Sequence, residues 1–187
     1  MQVSILCGGK SSRMQSEKGL VSYQNKPFIE HIIEAVLPIS QNIQLVTNTS
    51  YYDYLAYRKI KDIVVDKGPL GGIYTALVHS QTEMNLILSC DIPLISTEIL
   101  EELIEKHTSH FDVSVFEDKD RIHPLIGIYS RNSLPVLKKA IEASDLKMMR
   151  FISRVKHQLI PITDAKRGLF KNINSVAELK ELNTNLS

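Results

Sequence analysis

The sequence predicts a three-layer α/β/α protein with a mostly parallel, Rossmann-like sheet. Three observations predict it. Short apolar runs rich in β-branched residues alternate with longer segments of helical periodicity. The run Asn85–Ser89 is apolar throughout its centre, as expected of a strand buried on both faces. Three apolar runs also empty directly into loops carrying Gly or Asp, and ligands gather at that edge of such sheets.

The elements follow in order. Val3–Leu6 reads as the first strand. Pro27 opens a helix whose stripe is Phe28, Ile32, Ile33, Val36 and Leu37. Gln44–Thr47 is a second strand and Tyr51–Arg58 a short helix with exposed tyrosines. Ile63–Val65 is a third strand, stopped by Asp66-Lys67-Gly68-Pro69, and Gly71–Ser80 a helix with Ile73, Ala76 and Leu77 inward. The buried strand Asn85–Ser89 precedes a helix over Ser96–His107. Val113–Phe116 and Leu125–Tyr129 are further strands. Leu134–Ile141 and Leu146–Val155 read as helices, and Gln158–Ile160 as a late strand. Ser175 and Glu178 have the spacing of a capping box before a last helix through Leu182.

Bulk properties narrow the function. A chain of 187 residues fits one domain over 1–187 and can bury a sizeable core. The net charge of +1 supplies no basic field for nucleic acid or a membrane surface, and no apolar run has the length of a membrane span. The N-terminus enters a strand without signal-peptide architecture. Two cysteines, Cys7 and Cys90, make no disulfide framework, so a reducing cytoplasmic setting is expected.

The most informative segment is L-x-G-G-K-S-S-R-M-x-x-x-K, beginning at Leu6. A bend without side chains at Gly8 and Gly9 lets backbone N–H groups approach phosphate oxygens, and Lys10, Arg13 and Lys18 follow as cations. The spacing fits neither the P-loop nor the dinucleotide fingerprint. A second loop runs Asp66-Lys67-Gly68-Pro69-Leu70-Gly71-Gly72. It reads as a nucleoside pocket or as a plain turn with close helix–sheet packing. In the third, Ser89-Cys90-Asp91-Ile92-Pro93, a carboxylate ends a buried strand. Asp91 suits Mg²⁺, which takes one or two carboxylates plus phosphate oxygens and water; capping the next helix is the alternative.

Taken together, these motifs resemble the molybdenum cofactor guanylyltransferases, the MobA family of the GT-A-like nucleotidyltransferases. That family runs roughly L-A-G-G-x-S-x-R-M-G-x-D-K, and Leu6, Gly8, Gly9, Ser11 or Ser12, Arg13, Met14 and Lys18 fit it. Cys7 stands for the usual Ala, Gln15 for Gly and Glu17 for Asp. The G-P-L-x-G and C-D-x-P stretches match as well, with Gly71 in a position that is often Ala. The resemblance spans Leu6 to about Leu182.

The resemblance implies transfer of GMP from GTP to the phosphate of molybdopterin, with release of pyrophosphate. GTP would contact Leu6, Cys7, Gly8, Gly9, Lys18, Asn48, Asp66, Gly71 and Asp91. Arg13, Lys18 and Asp91 would be catalytic, and Asp91 would hold Mg²⁺. Candidates for the pterin substrate are Arg121, His123, Arg150, Asn172 and Asn174. Residues up to about 95 would bind nucleotide and those from about 96 to 183 the acceptor. Proteins that deliver molybdopterin or receive the finished cofactor are the partners expected.

Read without the family, several of these residues have plainer roles. Asn48 is a turn former, His123 a loop histidine and Arg150 part of a solvated basic helix face. Asn172 and Asn174 are turn and capping residues. Two other functions fit the same motifs: a cytidylyltransferase acting on molybdopterin or another phosphorylated small molecule, and a non-catalytic GTP-binding accessory protein.

Overall fold

The structure, a computed structural model, describes residues 1–8, 17–119 and 121–184. Its strands are β1 (Gln2–Leu6), the two-residue β2 (Ser22–Tyr23) and β3 (Lys26–Pro27), β4 (Ile43–Val46), β5 (Arg58–Ile60), β6 (Met84–Ser89), β7 (Val113–Asp118), β8 (Arg121–Ser130) and β9 (His157–Pro161). Its helices are α1 (Phe28–Val36), α2 (Gly68–His79), α3 (Thr97–Lys106), α4 (Leu134–Glu142), α5 (Met148–Ile152) and α6 (Val176–Thr184). Seven strands form one sheet in the order β5-β4-β1-β6-β8-β7-β9, and β2 and β3 form a separate small ribbon. The expected mostly parallel α/β sheet is present. Only β8 runs against the rest, antiparallel to both β6 and β7.

Period-2 alternation divides the core into two layers. Val3 and Ile5 of β1, with Leu86 and Leu88 of β6, face Ile29, Ile32 and Ile33 of α1 and Leu100 and Leu103 of α3. Leu6 and Ile87 point the other way, toward Leu70, Ile73 and Leu77 of α2 and Leu137 and Ile141 of α4. Each such side chain, fully buried, contributes about 1.5–3 kcal/mol. A third cluster of Val21, Tyr23, Phe28 and Ile173 fastens the ribbon and the C-terminal segment to the start of α1.

Two expected elements are absent. The expected helix Tyr51–Arg58 is replaced by turns over 51–57 and the start of β5 at Arg58, because its apolar residues make no helical stripe: Tyr52 is wholly buried while Tyr51 and Tyr54 stay exposed. Ile63–Val65 is not a strand. The free edge of β4 is taken by β5, and the Thr47 N–H donates to the Ile60 carbonyl. The chain then leaves the sheet, the Ile63 N–H donates to Thr75 Oγ1, and Ile63 and Val65 remain exposed. Boundaries shift elsewhere. Helix α2 starts at Gly68 with Pro69 in its first turn, and α5 is only five residues long. The capping box forms, with Ser175 Oγ accepting from the Glu178 N–H at 3.2 Å and Glu178 accepting from the Asn174 N–H at 2.6 Å.

Candidate active site

The carboxyl ends of β1, β4 and β6 open onto one cleft of about 670 Å³. Its floor carries Leu6, Cys7, Gly8, Ser89, Cys90 and Asp91, and its far wall Asn48, Asp62, Val64, Asp66 and Lys67. A hollow of about 150 Å³ adjoins it, sharing Ser89 and Leu125 and adding Arg121, His123 and Asn172. The reversed direction of β8 creates this neighbour: its first residues lie at the same edge as the last residues of β6, with Leu88 opposite Ile126.

Distant segments meet at Asp91, which is nearly buried. Lys18 Nζ lies 3.0 Å from Asp91 Oδ2 and also donates to Asn174 Oδ1. Asn172 Nδ2 donates to Asp91 Oδ1 at 2.7 Å, and its own Oδ1 accepts from Arg121 Nη2 at 3.1 Å. The Ile173 N–H donates to the Asp91 carbonyl at 2.9 Å, so main chain and side chains hold the segment together. Asp91 caps no helix; both carboxylate oxygens serve this network. Asn172 and Asn174 belong to it too, and their role exceeds turn and capping chemistry.

The far wall of the cleft differs from expectation. Asn48 is bound reciprocally to Asp62: Asn48 Nδ2 donates to Asp62 Oδ2 at 2.9 Å, and the Asp62 N–H donates to Asn48 Oδ1 at 3.0 Å. Burial pushes the Asp62 carboxyl above its ordinary value, against the bond from Asn48. Asp62 escapes notice in the sequence because an expected third strand at Ile63–Val65 lies beyond it; its signal is an acid two residues after Ile60, the last residue of β5. Asp66 also lines the cleft, at φ 57°, where the chain turns toward α2. Gly71 does not line the cleft. A Cβ there would lie 3.0 Å from the Val64 carbonyl and from Lys67 Cβ, so it serves close packing. Gly72 faces the cleft, against Leu6.

The remaining candidates separate. His123 is nearly buried beside Phe170, with ring centroids 5.1 Å apart. Burial first and Arg121 second lower its pKa, so it stands as a neutral donor or acceptor. Arg150 lines neither cavity; it lies on α5, which Phe151 anchors in the α2–α4 layer, and it pairs with Asp145 at 3.4 Å. Gly9 and Arg13 lie outside the described residues.

Among the described residues no group of three or more His, Cys, Asp or Glu could hold a metal ion unaided. Asp91 offers one carboxylate, a hard-oxygen donor; the amide oxygens of Asn172 and Asn174 are taken by Arg121 and Lys18. That fits Mg²⁺, which completes its shell from phosphate and water. No helix among the described residues is long and apolar enough to cross a membrane.

A sheet edge where Gly8 and a lysine–carboxylate pair line a cleft of about 670 Å³ is the setting of an α/β protein of the nucleotidyltransferase class. Comparison with known proteins agrees. The MobA-like NTP transferase domain matches residues 3–159. A probable molybdenum cofactor guanylyltransferase of Flavobacterium johnsoniae is 63% identical over 183 residues, covering 98% of this chain and 96% of the relative. A molybdenum cofactor guanylyltransferase of Vibrio vulnificus is 31% identical, covering 95% and 92%. The crystal structure of molybdopterin-guanine dinucleotide biosynthesis protein A from Archaeoglobus fulgidus shares the fold, with a TM-score of 0.85 at 24% identity over 100% of this chain and 98% of that one. The chain belongs to the MobA-like NTP transferase family.

Proposed function

We propose that this enzyme transfers GMP from GTP to the terminal phosphate of molybdopterin, forming the guanine dinucleotide cofactor. The observation that carries the reading is the meeting of Lys18, Asp91 and Asn172 at the junction of a nucleoside-sized cleft and a second hollow. Guanine and ribose fit against Leu6, Asn48, Asp62 and Asp66. The phosphates run over Gly8 toward Lys18. Arg121, His123, Asn172 and Asn174 face the acceptor. The nucleotide side is then built by residues up to about 95, and the acceptor side by those that follow.

A phosphate oxygen of the acceptor attacks the α-phosphorus. The new P–O bond forms as the bond to the bridging oxygen of pyrophosphate breaks, and that oxygen leaves with the electron pair. The nucleophile is already anionic, so no protein base is required. The chain's contribution is alignment of two anions and cancellation of their repulsion. Lys18 supplies positive charge at the junction. Asp91, held by Asn172, would hold Mg²⁺, which when bound adds positive charge to the phosphates. Asn48, fixed by Asp62, has one amide hydrogen and one lone pair left for the nucleoside.

Purified protein incubated with each nucleoside triphosphate, Mg²⁺ and molybdate-loaded pterin tests the reading, with the product identified by mass. The guanine dinucleotide is expected. A cytosine dinucleotide would replace guanine by cytosine in the reading. GTP binding with no pyrophosphate from any nucleotide would make the chain a binding protein only.

A further inference from the structure

Gly19 follows Lys18 in a single 3-10 turn, Lys18–Leu20. Its φ is not in the left-handed region, so backbone freedom does not explain a glycine there. Proximity does. A Cβ at Gly19 would lie 2.6 Å from Tyr52 Oη, 3.2 Å from Tyr52 Cε1 and 3.3 Å from Cys90 Cβ. Tyr52 is wholly buried within the turns that follow β4, in the same core layer as Cys7 and Cys90. Its hydroxyl is sealed from solvent and meets the Gly19 main chain and the Cys7 thiol, with neither contact reaching full hydrogen-bonding geometry. Contacts of poor geometry repay little of the cost of burying a hydroxyl, and phenylalanine would fill nearly the same space without that cost. The oxygen contributes its size, pressed against the residue that carries the phosphate-facing lysine.

We propose that Tyr52 is the positioning residue for Lys18: its hydroxyl abuts Gly19, fixes how deeply the Lys18–Leu20 turn seats, and so aims Lys18 Nζ at Asp91. Neither Tyr52 nor Gly19 lines the cleft or the hollow. The effect reaches the reaction only through Lys18, so this inference rests on the reading of Lys18 as a catalytic cation. The alignment needed for phosphoryl transfer tolerates little displacement. Loss of one atom of packing behind Lys18 therefore acts on turnover before it acts on stability.

The test is a set of variants assayed by pyrophosphate release, with the KM for GTP and thermal unfolding measured alongside. Tyr52→Phe should lower kcat about 3- to 10-fold, leave KM for GTP within about twofold, and leave Tm unchanged or higher. In a Lys18→Ala background the same change should alter the rate by less than about twofold, because the residue it positions is gone. Gly19→Ala should lower kcat by about 30-fold or more. Adding Tyr52→Phe should recover at least about fivefold of that, because it removes the atom nearest the new methyl group. Equal losses from Tyr52→Phe with and without Lys18, no loss at all, or no recovery in the Gly19→Ala, Tyr52→Phe double variant would overturn the proposal while leaving Lys18 catalytic. Full activity in Lys18→Ala alone would remove both.

Discussion

Replacing Asp91 by asparagine keeps the shape of the side chain and removes its charge. The Lys18–Asp91 pair, at 3.0 Å with side chains 23% and 11% exposed, has a Coulomb attraction of about 5 kcal/mol at an effective dielectric near 20. Desolvation of both partners cancels much of this. The asparagine can still accept from Asn172, but it then turns its own amide hydrogens toward the Lys18 ammonium. The net loss is one charge-assisted hydrogen bond, about 2 kcal/mol, which for a chain of this size lowers Tm by about 4–8 °C. The effect on turnover is larger, because the carboxylate is also the proposed Mg²⁺ ligand. Removing one such group costs about 10²- to 10³-fold in kcat. The assay is pyrophosphate release at saturating GTP and Mg²⁺ beside thermal unfolding of the same preparation. Turnover within about threefold of the unaltered protein, together with the expected fall in Tm, would refute the metal reading and leave Asp91 a structural partner of Lys18.

Asp62→Ala removes the acceptor that holds Asn48 Nδ2, and is expected to raise KM for GTP about 10-fold or more with a smaller change in kcat, measured by steady-state kinetics. His107 and His123 both have pKa values lowered by burial. The unfolded chain therefore binds more protons than the folded one below about pH 6.5, and Tm should fall as pH drops from about 7.5 to about 5.5 in a fluorimetric scan. Replacing His107 with glutamine should flatten that slope. Burial raises the Cys7 thiol well above its ordinary value, and Cys7 and Cys90 are both nearly inaccessible. Iodoacetamide at neutral pH should leave the folded protein unmodified and label both cysteines after denaturation, read by intact mass.

The layered fold was legible because the pattern that drives it is local. The apolar runs Val3–Leu6 and Asn85–Ser89 mark strands buried on both faces, and the stripe from Phe28 to Val36 names the face that α1 buries. Asp91 was legible because a carboxylate at the end of a buried strand needs a partner. The errors cluster between residues 51 and 66, where Tyr52 and Ile60 are core but the similar residues Tyr51, Tyr54, Ile63 and Val65 are exposed. Val64 forms part of the cleft wall and Val65 is solvent-exposed, so a binding wall and a buried strand look alike in sequence. The misplaced strand in turn concealed Asp62. Arg150 failed to reach the site for another reason: charge density along a helix says nothing about which way the helix faces, and Phe151 turns α5 toward Tyr129.

Strand β8 carries the step from the proposed nucleotide cleft to a proposed site for two substrates. In an all-parallel sheet the strand beside β6 would end at the cleft, offering one more loop of the kind β1, β4 and β6 provide. Because β8 is reversed, it starts there instead. Its first residues, Arg121 to His123, extend past the end of its pairing with β6 and are held on the other side by β7, with Asp118 opposite Arg121. A bulge between Val115 and Phe116 shifts the register just where β8 leaves β6. The hollow between these strands is thus walled by backbone that belongs to the sheet, which holds Arg121 more rigidly than a loop would. Asn172 then bridges Arg121 to Asp91. Displacement of Arg121 by an incoming phosphate would free Asn172 Oδ1 while leaving its amide on Asp91, so the proposed acceptor side and the proposed metal ligand are joined through one side chain.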